Sequence, residues 1–185
     1  MRRRLAIVIA ALAFGAVSGV AAYQKVRPPG GGIPGGDWRE IAWPFPRDGW
    51  PAGRAFRCQA AACGEGIELY VRPKIGFCNC DSGVADDDEV DRVADLDMIT
   101  PSFVPRAPGR VVRLAEMSGR SRGYDLWMAD GAHRAAVGIA VSHRCDLLVA
   151  VAQGEGTVPG VQRAALEFLG SREMARWMSA AMGGG

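Results

Sequence analysis

The chain is poor in the residues from which common active sites are built. It has two histidines, His133 and His143, in 185 residues. It lacks a Walker-type phosphate-cradling glycine loop, the zinc-protease helix motif and a dinucleotide fingerprint set between a strand and a helix. Each of those motifs sets a phosphate or a metal at a fixed spacing, so their absence removes support for the common metalloprotease and nucleotide-enzyme classes. Neither histidine has a partner readable from the sequence. Both fall at expected hairpin ends, where a polar ring meets water, and no catalytic residue or cofactor is assigned.

Charge of one sign is also scarce. Of the 22 basic side chains, three are Arg2, Arg3 and Arg4, which leaves 19 against 20 acidic ones in the rest of the chain. A near-neutral body offers no footprint for nucleic acid. No internal repeat is visible, and no Cys-x2-Cys pair occurs.

One long apolar run is present. Residues 5–22, LAIVIAALAFGAVSGVAA, follow the arginine triplet without a charge. As a helix they extend about 27 Å, enough to reach across the hydrocarbon of a bilayer. The arginines hold the N-terminus inside, which places the rest of the chain outside the cytoplasm. Residues 1–26 are therefore expected to form a retained single-pass signal-anchor, favoured over a signal peptide cleaved after Val20-Ala21-Ala22 to leave a secreted or periplasmic protein. No cysteine lies at the end of the run to carry a lipid, and the paired arginines only faintly resemble a twin-arginine signal. The expected partners are the membrane, through residues 5–22, and an envelope protein.

Residues 27–37, RPPGGGIPGGD, have neither helical periodicity nor strand alternation and read as a flexible tether. Residues 38–182 then suit a single domain. Trp38, Trp43, Phe45 and Trp50 crowd a proline-broken stretch over 38–51, read as an irregular segment pinned to the core by its aromatics rather than lying on lipid. Short strands are expected at Arg54 to Cys58 and Ile67 to Arg72, with Ile75 to Cys80 as a third. Asp86 with Glu89 resembles a capping box opening a short helix over 87–97.

Four apolar runs at 110–117, 122–129, 132–141 and 145–152 follow, with Gly119 in the first gap and Asp130-Gly131 in the second. Ala135 to Val141 and Leu147 to Ala152 do not alternate, so both strands are expected at the centre of a sheet covered on both sides. Val161, Ala165, Phe168 and Leu169 share one helical face; Met174, Trp177, Met178 and Ala181 share another, with Ser171 as the cap between them. The sum is an α+β domain: an antiparallel sheet of short N-terminal strands plus a four-strand meander, one short middle helix, and C-terminal helices over one face.

Five cysteines bear on chemistry. In an oxidising compartment Cys58, Cys63, Cys78 and Cys80 are expected to form two disulfides, with connectivity open, while Cys145, beside Leu147, Leu148 and Val149, stays a buried thiol. The alternative is a metal site, the same four cysteines holding zinc or copper(I) as thiolates, or a thiol-redox role for them. Eight carboxylates between Asp81 and Asp97 could draw calcium, but their spacing is not that of an EF-hand, and a solvated helix start is preferred. Arg106, Arg110, Arg113, Arg120 and Arg122 are expected to pair with those acids inside the fold. The functional expectation is a non-enzymatic, membrane-tethered extracytoplasmic accessory or binding domain.

Overall fold

The computed structural model describes residues 37–46, 48–59, 63, 66–76 and 80–182. The proposed anchor, and the tether up to residue 36, lie outside these. Among the described residues no helix is long and apolar enough to cross a membrane.

Eight strands form one antiparallel sheet: β1 (Trp38–Ile41), β2 (Arg54–Cys58), β3 (Glu68–Lys74), β4 (Phe103–Pro105), β5 (Arg110–Leu114), β6 (Met117–Trp127), β7 (His133–His143) and β8 (Asp146–Gly154). Their spatial order is β1-β2-β3-β8-β7-β6-β4, with β5 also on β6. Strands β5 to β8 are the expected meander, and its last member turns back to lie against β3, from Glu68 opposite Gln153 to Lys74 opposite Leu147. Helix α1 (Asp87–Val93) precedes a single 3-10 turn, Leu96–Met98, and helices α2 (Val158–Leu169) and α3 (Arg172–Met182) close the chain.

Strands β7 and β8 are buried along nearly their whole length because both faces of the sheet are covered. On one face Val137, Ile139, Val141, Leu148 and Ala150 meet Val161, Ala165 and Leu169 of α2 and Met174 and Met178 of α3. On the other, Ala140, Leu147 and Val149 meet Val90 and Val93 of α1, while Tyr70, Tyr124 and Val151 sit under Trp43 and Phe45. Helices thus lie on both faces, not one. Glycine makes this possible: a Cβ on Gly138 would come within 2.8 Å of the Ala94 methyl, so α1 packs directly on the β7 backbone.

Local chemistry accounts for most boundaries. Asp86 caps α1 by accepting from the Glu89 N–H at 2.9 Å. The helix ends at Val93 rather than 97 because Asp95 takes a left-handed conformation, φ 59°. Thr157 caps α2 through the Gly160 N–H, and Ser171 caps α3 through the Met174 N–H, each at 3.3 Å. Gly131, φ 82°, makes the Asp130-Gly131 turn between β6 and β7.

Other expectations are corrected. Gly119 lies inside β6, and the β5–β6 turn is Ala115-Glu116, with Ala115 at φ 51°. Residues 38–51 are not wholly irregular, since Trp38–Ile41 pair with β2 as an edge strand. The aromatics do pack on the domain: Trp38 stacks on Phe168 at 4.6 Å, and Phe45 meets Tyr70 edge-on at 4.8 Å. Strand β3 stops at Lys74, followed by the Ile75-Gly76 turn, while 77–79 lie outside the described residues.

Candidate functional site

The cysteines are bonded in two pairs, Cys58 with Cys63 and Cys80 with Cys145. The expectation of a reduced, buried Cys145 is overturned. Strand β8 begins one residue later, at Asp146, so Cys145 sits exposed in the Arg144-Cys145 turn, at the end of the sheet reached by Cys80 after β3. Cys78 lies outside the described residues. With Cys58, Cys63 and Cys80 each bonded to sulfur, these three have no thiolate to offer zinc or copper. Among the described residues no group of three or more His, Cys, Asp or Glu is placed to hold a metal.

Part of the acidic run is drawn into the fold, through Asp87, Asp91 and Asp95, while Asp81, Asp86, Asp88 and Asp97 stay exposed. Asp87 receives Arg120 Nε at 2.8 Å and the Gly109 N–H at 2.8 Å, and Asp91 receives Arg122 at 2.6 Å and the Tyr124 hydroxyl at 2.6 Å. Four residues of helix advance about 6 Å and two of strand about 6.6 Å, so carboxylates spaced by four on α1 match arginines spaced by two on β6. The bond from Gly109, with Arg120 beside it, holds the Asp87 carboxyl below its usual range. Burial, reinforced by the Asp91 charge, pushes the Tyr124 hydroxyl far above its own. Asp95 continues the series against β3, with Arg72 Nε at 2.7 Å and Lys74 Nζ at 2.5 Å. These acids hold elements together and present no open coordination shell.

Arg106 instead goes to Asp125, and with His133 it builds a charged constellation that faces a cavity. Asp125 is 7% exposed on β6. One of its oxygens lies 3.2 Å from His133 Nε2 and the other 3.1 Å from Arg106 Nε. The sheet register causes this. The Asp130-Gly131 turn sets Trp127 opposite His133 and Asp125 opposite Ala135, so Asp125, Trp127 and His133 share one face. The Trp127 ring meets the His133 ring edge-on at 5.5 Å. That turn was the available signal for the pair, but its register is needed before the two side chains can be put together. His143, at the opposite end of β7, takes no part.

These residues line a cleft of about 390 Å³ between the ends of β6 and β7 and the first turn of α2, whose floor and walls include Ala107, Ala135, Val158 and Pro159. A smaller recess of about 160 Å³ shares Gly156 and Thr157 with it and reaches Cys63 and Arg163. An imidazole held by a carboxylate is the orienting half of a general base. The hydroxyl lining the cleft, Thr157 Oγ1, is occupied in capping α2. The arrangement is suited to holding a ligand.

No family model matches the chain. No curated protein matches it either. Among solved structures, the crystal structure of LpqN, involved in cell envelope biogenesis of Mycobacterium tuberculosis, overlays with a TM-score of 0.37 at 16% identity, covering 77% of this chain and 80% of that one. At that distance the site rests on this chain's own residues.

Proposed function

We propose that this protein is a membrane-tethered extracytoplasmic domain that acts as an accessory or binding component of the cell envelope, with the Arg106–Asp125–His133 cleft as its ligand site. The observation that carries the placement is the pair of disulfides: such bonds persist in oxidising compartments and are rare in the cytosol. The apolar run behind Arg2 to Arg4 supplies the tether, and the cleft supplies a concave, largely apolar surface with a few converging polar groups. A reporter enzyme that works only outside the cytoplasm, fused after Gly185, should be active, and the chain should resist alkaline carbonate extraction from membranes. Robust activity of a cytoplasm-only reporter would overturn the topology, and release by carbonate would overturn the tether.

A further inference from the structure

The cleft's chemistry narrows what it can take. One Asp125 oxygen faces the Arg106 guanidinium and the other the His133 ring, so the carboxylate's charge is answered inside the protein by Arg106. Both partners nevertheless remain open to the mouth, a guanidinium and a ring N–H that can each meet an anion: the Arg106 side chain is 64% exposed and that of His133 is 54% exposed. The helix bordering the cleft adds to this. Helix α2 is 12 residues long and has no acidic side chain in its first turn, so the positive end of its dipole is not answered by its own sequence. A cationic ligand would meet Arg106 and the α2 terminus together, which disfavours it.

The walls are apolar, and so is the rim. Of four large hydrophobic side chains exposed among the described residues, two stand here. Trp127, 45% exposed, lies against His133, and Val104, 50% exposed, pairs with Asp125 in register and so shares its face of the sheet. Exposed apolar groups gathered around a charged cleft mark an interaction site rather than random surface.

We propose that the cleft binds an amphiphilic anion, a phosphate or carboxylate carried on an apolar body, with the charged group at Arg106 and His133 and the apolar part along Ala107, Val158, Pro159 and Trp127. This rests on reading the cleft as a binding site and adds its ligand class. The chemistry is shared by an anionic lipid headgroup and a soluble alkyl phosphate.

The test uses the full chain, isotope-labelled, in nanodiscs of neutral phosphatidylcholine, and follows cleft signals by NMR during titration with octyl phosphate, octyl glucoside and inorganic phosphate. Octyl phosphate should shift Ala107, Ala135, Val158 and the Trp127 indole, and should bind at least tenfold tighter than either other probe. Arg106→Gln, shown to be folded by its amide spectrum, should weaken octyl phosphate tenfold or more. Ala107→Trp, which narrows the mouth and keeps the charges, should weaken it comparably. In phosphatidylglycerol nanodiscs, cleft shifts without added probe would support the class and identify a membrane lipid as the source. Unshifted signals there, with octyl phosphate still binding, would support it and identify a soluble amphiphile. Octyl glucoside binding as tightly as octyl phosphate overturns the anionic class while leaving the cleft a binding site. Inorganic phosphate binding as tightly overturns the apolar half. No cleft shift with any probe overturns both the class and the cleft.

Discussion

Asp95 has the most to hold at the level of single residues. It sits between Arg72, 2% exposed, and Lys74, 5% exposed, and pairs with both. Removing one member of a buried charge group leaves the others without their partner, so Asp95→Asn should destabilise by about 3–5 kcal/mol in urea denaturation. Asparagine tolerates the left-handed backbone at this position, so the loss reports the charge. Arg72 also holds Asp48 through both guanidinium ends, at 2.8 and 2.7 Å. That bond is the main cause that lowers the Asp48 carboxyl from 3.8 to about 2. A folded-state pKa below the unfolded one contributes stability that is present above pH 4 and drains away as pH falls toward 2. The melting temperature should therefore drop across that window, as Asp87, also lowered, titrates alongside. Asp48→Asn should melt below the parent at pH 7 and approach it by pH 2. A gap that stays constant with pH would contradict the ion pair.

At the scale of elements, the Cys80–Cys145 bond ties the β7–β8 turn to the segment following β3 across 65 positions, whereas Cys58–Cys63 spans five. Loop-closure entropy then assigns about 4 kcal/mol to the longer bond and about 2 kcal/mol to the shorter. Replacing Cys80 and Cys145 with serine should lower stability by roughly twice as much as replacing Cys58 and Cys63. Four of five cysteines are paired in this way, so alkylation of the intact protein should find one thiol, and five after reduction. A different device guards the outer side of β5, which pairs only with β6 among the described residues. Val111 is 70% exposed there, flanked by exposed Arg110 and Arg113. Charges on an edge strand discourage another strand from adding to it. Arg110→Val with Arg113→Val should therefore raise concentration-dependent self-association in sedimentation velocity, with the melting temperature little changed.

For the whole molecule, residues 38–51 act as a strap across both faces of the sheet. Trp38 joins the core under α2, and Trp43 and Phe45 cover Tyr70 on the opposite side. Deleting 38–51 exposes both clusters and removes the edge strand. The melting temperature should fall by at least about 10 °C, a few kcal/mol of apolar burial at a few degrees each. Unchanged melting, with membrane binding lost, would instead place these aromatics at the lipid interface.

The sequence by itself determined what repeats within a few residues. The unbroken apolar runs of β7 and β8 announced central strands, the 3.6-residue spacing of Val161, Ala165 and Phe168 announced a buried helix face, and Asp130-Gly131 announced its hairpin. What joins distant positions was decided only by the tertiary structure. Strands β1 and β4, four and three residues long, are too short to show a period and exist because β2 and β6 offer them free edges. Cys80 meets Cys145, and not the nearer Cys63, because β8 returns to lie beside β3. His133 and Arg106 both reach Asp125 because the register across two strand pairings brings them to one face. A local pattern records which side of an element is apolar, whereas strand order and register follow from how all the elements bury those sides at once.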